Sequence, residues 1–139
     1  MNKIKKQYVE LYEVAERARE LSYSPYSGIT VGAALLGRSG KIYVGANIEN
    51  ASYSPTVCAE RTAIFRAVLD GEREFDAIAI AGGACGEDGK DGFYPCGVCR
   101  QVMSEFFSRD TDIITKKGDD IEITSFAEAL PMAFTKDKL

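Results

Sequence analysis

Three cysteines stand at spacings that suit a metal site. One residue separates Cys58 from Glu60, and two residues separate Cys96 from Cys99. A pair with that second spacing can bind one ion, because the turn at the start of a helix brings both sulfurs to one side. A third thiolate from another helix leaves the fourth tetrahedral position of a zinc ion open for water. The pattern therefore predicts a zinc site with the ligands Cys58, Cys96 and Cys99.

Glu60 and Arg61 follow closely after the first cysteine and carry the charges that such a site needs. A zinc ion lowers the pKa of a bound water to about 7. A carboxylate two residues from a ligand can take the released proton and pass it on, so we expect Glu60 to be a proton shuttle. Three thiolates leave the site negatively charged, and Arg61 is close enough in sequence to donate hydrogen bonds to a ligand sulfur.

The chain contains no histidine, so the usual zinc nitrogen ligand and the usual general base are both excluded. Two alternatives remain open for the cysteines. Cys85 could complete a closed four-thiolate structural site, as in a zinc-stabilised interaction domain, or Cys96 and Cys99 could form a redox pair. Outside such a site, we expect Cys85 to be an ordinary, partly buried thiol after a strand. A catalytic site would have three protein ligands and a water, whereas a structural site would have four protein ligands.

Hydrophobic spacing predicts the elements that position these residues. Apolar residues recur at helical spacing from Ile4 to Ala18, and Ser125 with Glu128 forms a capping box for a short last helix. Between them we predict, in chain order, strands over 30–36 and 42–48, a helix over 57–69, a strand over 75–81, a helix from 95 to about 107, a strand over 112–115 and a weaker one over 121–123. This order predicts an α/β fold with a mixed sheet and helices on both faces.

Length and charge limit the function. With 139 residues the chain suits one domain, 1–139, and its net charge of -4 argues against binding to a nucleic acid backbone. No apolar run has the length of a signal peptide or a membrane span, so we expect a cytoplasmic protein with no membrane partner.

Several short motifs resemble those of the small homotetrameric cytidine deaminases of the three-cysteine zinc type. The resemblance extends along nearly the whole chain. The motifs are Pro25-Tyr26-Ser27, Val31-Gly32-Ala33-Ala34-Leu35, Asn47-Ile48-Glu49-Asn50-Ala51, Cys58-Ala59-Glu60-Arg61-Thr62-Ala63, Pro95-Cys96-Gly97-Val98-Cys99-Arg100-Gln101 and Leu130-Pro131-Met132-Ala133-Phe134.

This resemblance implies a three-layer α/β/α sandwich with a five-stranded mixed sheet and one zinc ion per subunit. It implies hydrolytic deamination of cytidine and deoxycytidine in pyrimidine salvage, with hydroxide attacking C4 and Glu60 moving the protons. It also implies that Asn47 and Glu49 hydrogen-bond the ribose of a nucleoside. Phe134 would reach a neighbouring subunit's pocket in a homotetramer with shared active sites, with Tyr26 near the same interface.

Two positions depart from the family pattern. Ile29 stands where an aromatic residue is usual, and Ala129 replaces the first leucine of the usual Leu-Leu-Pro. Neither residue bears on the metal or the proton chemistry. Deaminases of aminonucleoside antibiotics, or of bases in nucleic acid, remain as alternatives. The expected ribose contacts argue against the first, and the acidic charge argues against the second.

Overall fold

Residues 2–139 are described here from a computed structural model of the chain. The elements, in chain order, are α1 (Lys3–Ala18), a 3-10 turn (Arg19–Leu21), β1 (Ile29–Gly37), β2 (Ile42–Ala46), α2 (Ala59–Leu69), β3 (Phe75–Ala84), α3 (Gly97–Phe106), β4 (Asp112–Lys117), β5 (Asp120–Ser125), α4 (Phe126–Ala129) and a second 3-10 turn (Lys136–Lys138).

Within this range the strands form one five-stranded sheet in the order β2-β1-β3-β4-β5. β1 pairs antiparallel with both β2 and β3, β3 pairs parallel with β4, and β4 pairs antiparallel with β5. The parallel pair is connected by α3, which is the crossover that two parallel strands require. Because β2 and β3 are both antiparallel to β1, they run in the same direction and end at the same edge of the sheet.

Two apolar clusters fill the spaces on either side of the sheet. On one face, α1 buries Tyr8, Leu11 and Ala15 against strand residues that include Ala34 and Ala79. On the other face, α2 and α3 bury a larger cluster. Its helix residues are Ala59, Ala63, Ile64, Ala67, Cys99 and Met103. The predicted α/β fold with a mixed sheet between helical layers is therefore confirmed.

Most predicted elements form, but tertiary pairing shifts several boundaries. The second strand ends at Ala46 and not at 48, because Ile48 pairs instead with Val57 in an isolated antiparallel bridge. That pairing also removes Val57 from the second helix, which begins at Ala59. The strand predicted as weak is six residues long, since Gly118, with φ 61°, turns the chain back to pair it with β4.

Gly32 permits the close packing of α1 on the sheet. A Cβ atom at this position would lie 2.1 Å from the Ala15 carbonyl oxygen and 2.7 Å from the Arg19 backbone nitrogen. Both obstacles are backbone atoms, so neither can rotate away. The helix can approach β1 this closely only because residue 32 has no side chain.

We therefore expect Gly32→Ala to destabilise the fold by about 2 to 3 kcal/mol, since α1 must move off the sheet. Urea unfolding followed by circular dichroism measures this cost. The matched control is Gly97→Ala, whose added methyl group meets no atom within 4 Å and which we expect to be near neutral. Equal unfolding midpoints for the two variants would contradict this account of the α1 contact.

Candidate active site

The structure brings three of the predicted residues together at one point. The sulfurs of Cys58, Cys96 and Cys99 all lie within 4.8 Å of one another, and those of Cys58 and Cys96 are 3.7 Å apart. A tetrahedral zinc ion with Zn–S bonds of about 2.3 Å separates its sulfur ligands by about 3.8 Å. The donor set and its spacing therefore fit zinc bound by three thiolates.

The direction of the strands explains why these cysteines meet. Cys58 is the N-cap of α2, and Cys96 is the N-cap of α3. Each helix begins beyond the end of a strand, β2 or β3, and those two strands end at the same edge of the sheet. Both helices pack on the same face, so their N-termini converge. The positive ends of two helix dipoles thus point at the cluster.

Arg61 places its guanidinium against the cluster. Its Nη2 atom donates to the Cys58 sulfur at 3.4 Å and contacts the Thr56 carbonyl at 3.5 Å. The Nε atom of Arg61 is buried and has no hydrogen-bond partner among the described residues. Arg61 therefore places a positive charge beside the Cys58 sulfur, and its compensating role at a metal site stays a prediction.

The thiols differ in their affinity for a proton. The pKa of the Cys58 thiol is lowered to about 5 by hydrogen bonds with the Cys99 thiol, the Arg61 guanidinium and Cys96. The hydrogen bond to Cys58 and burial raise the pKa of Cys99 above its ordinary value. Cys58 is thus the first of the pair to become a thiolate, and a metal ion would take the place of the remaining protons.

Glu60 is almost completely buried, with 4% of its surface exposed. Burial raises the pKa of its carboxyl group to about 7, against a backbone hydrogen bond that lowers it, and the neighbouring Cys58 adds to the increase. A buried carboxyl group with a pKa near neutrality can both accept and release a proton under physiological conditions. Glu60 lies in the first turn of α2, two residues after the N-cap Cys58, and this places it beside the sulfurs of Cys58 and Cys99.

Cys85 does not belong to the cluster. It follows the end of β3, is exposed, and lines a separate surface depression with Arg19 and Glu87. The expectation that Cys85 is partly buried is wrong, because the chain leaves the sheet at this point in an exposed turn. Without a fourth sulfur, the cluster among residues 2–139 has the ligand count of an open site and not that of a closed structural site.

The segment that carries Asn47 and Glu49 pairs through its backbone with the residue before Cys58. Ile48, between them, exchanges two hydrogen bonds of 2.9 Å with Val57, the residue before Cys58. The Thr62 hydroxyl in α2 also donates to the Ala46 carbonyl at 3.0 Å. The segment that carries the predicted ribose contacts is therefore held against the segment that carries the first predicted metal ligand.

The carboxamide of Asn47 is largely occupied by the protein. Its Oδ1 accepts from the Val31 backbone at 2.9 Å and from the Ser22 hydroxyl, and its Nδ2 donates to the Ile29 carbonyl at 2.9 Å. The side chain is 7% exposed. Asn47 thus fixes the start of β1, a role that its position in a loop did not predict, and it has one Nδ2 proton left for a ligand.

Glu49 organises the loop before β1. Its Oε1 accepts from the backbone nitrogens of Tyr26 at 3.0 Å and Ser27 at 3.1 Å, and its Oε2 accepts from the Ser27 hydroxyl. These donors lower the pKa of the Glu49 carboxyl group, the Ser27 hydroxyl most of all. Together with Tyr53 and Thr56 these residues line a depression of about 310 Å³. Thr56, at the edge of this open pocket, is two residues before Cys58.

Phe134 lies on the outer side of α3 in its own chain. Its carbonyl accepts from the Gln101 side chain at 2.9 Å, and the residue is 62% exposed.

The two departures from the family pattern make backbone contacts. The Ile29 carbonyl accepts from the Asn47 side chain, and the Ala129 carbonyl accepts from Arg100 at 2.6 Å. Arg100 also donates to the Pro95 carbonyl at 2.8 Å. Arg100, which the sequence analysis did not single out, therefore ties the Cys96 turn to the end of α4.

A large groove lies away from the cysteines. It has a volume of about 730 Å³ and is lined by the C-terminal end of α3, the start of β3 and the C-terminal segment. The cysteines lie at the opposite, N-terminal end of α3.

None of the helices among the described residues is both long enough and apolar enough to span a membrane.

Known proteins match this chain over most of its length. Residues 5–115 match the family described as the cytidine and deoxycytidylate deaminase zinc-binding region. A cytidine deaminase of Sporosarcina psychrophila is 47% identical over 131 residues, which are 94% of this chain and 93% of the relative. One from Halalkalibacterium halodurans is 48% identical over 131 residues, 93% of this chain and 95% of the relative. The crystal structure of a cytidine deaminase from Burkholderia pseudomallei superposes with a TM-score of 0.81 at 43% identity, covering 91% of this chain and 98% of that one.

The geometry predicts that zinc content depends on three of the four cysteines. Cys58→Ala, Cys96→Ala and Cys99→Ala should each lose the metal, since two sulfurs no longer hold the ion. Cys85→Ala is the matched control and should retain one zinc per chain. Atomic emission analysis of the dialysed proteins measures the ratio. Retention of zinc by any of the first three variants would remove that residue from the ligand set.

Proposed function

Since the chain belongs to the cytidine and deoxycytidylate deaminase family, we propose that it hydrolyses cytidine and deoxycytidine to uridine and deoxyuridine with release of ammonia. The observation that carries the proposal is the three-sulfur cluster with a buried glutamate two residues from one of its members. The negative net charge supports a free nucleoside and not a nucleic acid as substrate. Such an activity would serve pyrimidine salvage in the cytoplasm.

The reaction exchanges one bond at C4 of the base. The oxygen of a water molecule bonds to C4, and the bond between C4 and the exocyclic nitrogen breaks. One water proton ends on ring nitrogen N3, and the other leaves with the amino group as ammonia. Both protons must be carried by a group that can bind and release them during one turnover.

Cys58, Cys96 and Cys99 would hold one zinc ion, which would act as a Lewis acid and lower the pKa of a water molecule so that it can release a proton near neutral pH. Glu60 takes that proton on its carboxylate and delivers it to N3. The same carboxyl group then carries the second proton to the departing amine. Its raised pKa, caused first by burial, suits both steps, because neither the acid nor the carboxylate form is strongly favoured near neutral pH.

The ribose would bind beside Asn47 and Glu49, of which Glu49 lines the open pocket. Asn47 can donate its remaining Nδ2 proton to a sugar hydroxyl, and Glu49 can accept from one, since its ionised form is favoured by the donors around it. Each of these side chains is already oriented by protein contacts. They are therefore positioned for the sugar before it arrives, which lowers the entropy cost of binding.

The site in a single chain is open, which supports a shared site in a homotetramer. Several large apolar residues near the pocket and on the C-terminal segment are exposed: Tyr23 56%, Tyr26 49%, Tyr53 76%, Val98 58%, Met132 98% and Phe134 62%. Exposed apolar groups in such number are typical of a surface that another chain covers. Phe134 of a neighbouring subunit would then stack on the base.

Changing Glu60 to Gln should abolish most turnover while fold and zinc are retained, because an amide cannot accept the proton. General acid and base catalysis contributes about 10²- to 10⁴-fold, and a group used twice should lie near the upper value. Steady-state assays with cytidine, monitored by the change in absorbance of the base, measure the loss of kcat. Glu10→Gln, an exposed change on α1, is the control and should keep full activity. A near-normal rate for Glu60→Gln would mean that its carboxylate moves no proton.

Changing Phe134 to Ala should weaken cytidine binding by about 1 to 3 kcal/mol, the value of one stacked base, and leave zinc in place. Light scattering should give the mass of a tetramer. Refolded mixtures of Cys96→Ala and Phe134→Ala chains should recover activity at low cytidine concentration, since some sites then combine an intact metal site with an intact Phe134. A fully active monomer, or mixtures no better than their components, would exclude a shared site.

A further inference from the structure

The C-terminal segment after α4 lies along the outer face of α3. We define this tail segment as residues 130–136. It begins at Leu130, whose nitrogen donates to the Phe126 carbonyl at 3.0 Å, and then turns at Pro131 and Met132. Met132 has a φ of 51°, in the left-handed region that a residue with a side chain rarely adopts. Contacts elsewhere must therefore stabilise this turn.

Gln101 and Glu105 supply two contacts to the tail segment. They are four residues apart on α3, so they share one face of the helix. Gln101 Nε2 donates to the Phe134 carbonyl at 2.9 Å, and Glu105 lies 3.9 Å from the Lys136 ammonium group. The ion pair joins two exposed side chains and contributes little. The Gln101 hydrogen bond is thus the stronger and more directional of the two.

The amide of Gln101 is oriented before it meets the tail segment. Its Nε2 also donates to the Ser104 hydroxyl at 3.0 Å, and that hydroxyl donates to the backbone carbonyl of Gln101 at 2.6 Å. Both of its N–H groups are therefore directed, one to Ser104 and one to Phe134. Since a backbone carbonyl only accepts, the amide nitrogen and not its oxygen must face Phe134.

We propose that Gln101 is a positioning residue, which holds the Phe134 backbone so that the phenyl ring projects toward the nucleoside site that a neighbouring chain presents. This inference rests on the proposed function, in which Phe134 stacks on the base. Gln101 comes two residues after Cys99 on the same helix. One rigid element thus carries two metal ligands of one site and the support for the aromatic wall of another. Within one site, the spacing between metal and wall then follows from how the α3 helices of the two chains are placed relative to each other.

The contact can be tested without any assay of activity. The chain contains no tryptophan, so Phe134→Trp introduces a single indole as a probe of the tail segment. Adding Gln101→Met, which is similar in length and cannot donate, should lower the fluorescence anisotropy of that indole. Gln7→Met, an exposed change on α1, is the matched control and should leave it unchanged. Equal anisotropy in all three proteins would overturn the proposal.

Kinetics then test the role. In the otherwise natural chain, Gln101→Met should raise KM for cytidine by about 2- to 10-fold, the effect of one lost hydrogen bond, with kcat, zinc content and melting temperature unchanged. A residue with only a structural role would lower the melting temperature or the zinc content instead. Gln101→Glu, which also cannot donate, should raise KM similarly and so separates the lost donor from a change of side-chain polarity.

A double variant separates this inference from the proposed function. In a Phe134→Ala chain, Gln101→Met should raise KM no further, because the ring that Gln101 positions is gone. If Phe134→Ala raises KM but Gln101→Met does not, Gln101 does not position the ring and the proposed function still stands. If Phe134→Ala leaves KM unchanged, the stacking role of Phe134 fails and the role of Gln101 fails with it.

Discussion

The shared direction of β2 and β3 is the constraint on which the site depends. Both strands pair antiparallel with β1, which lies between them, so both end at one edge of the sheet. Each is followed by a helix on the same face, and the two helix N-termini converge there with Cys58 and Cys96 as their N-caps. Two helix dipoles and Arg61 thus place positive charge beside the three sulfurs. Reversing either strand would move one N-cap to the far edge of the sheet and separate the sulfurs.

Glycines allow the layers to approach closely enough to hold this arrangement. A Cβ atom on Gly45 would lie 2.4 Å from the Ala59 carbonyl oxygen and 2.5 Å from the Ala63 nitrogen, so β2 packs directly on the backbone of α2. Gly32 permits the same for α1 on the opposite face of the sheet. The close contact of β2 with α2 places Ile48 opposite Val57. Through that bridge the position of the predicted ribose contacts is coupled to the first turn of the helix that carries Glu60.

Burial has different consequences at the two ends of the site. At the cysteine cluster, Glu60 and Cys99 are buried, and burial raises the pKa of both groups. At the open pocket, Glu49 remains accessible, and hydrogen bonds from Ser27 and the backbone lower its pKa. The carboxyl group of Glu60 therefore has a higher proton affinity than that of Glu49. The same residue type differs in proton affinity because its surroundings differ.

The sequence by itself determined the chemistry that is local. The spacings of Cys58, Glu60, Cys96 and Cys99 predict a metal site because a helix N-terminus orders its own neighbouring residues, and hydrophobic periodicity predicts the helices and most strands in the same way. The tertiary structure decided what depends on contacts between distant residues. The Ile48 bridge excludes Val57 from α2, and Cys85 lies apart from the other sulfurs. The Asn47 amide spends most of its hydrogen bonds on β1, and Gln101 donates to the Phe134 carbonyl. None of these follows from spacing along the chain, because each requires two segments to be brought together by the packing of the sheet and its helices.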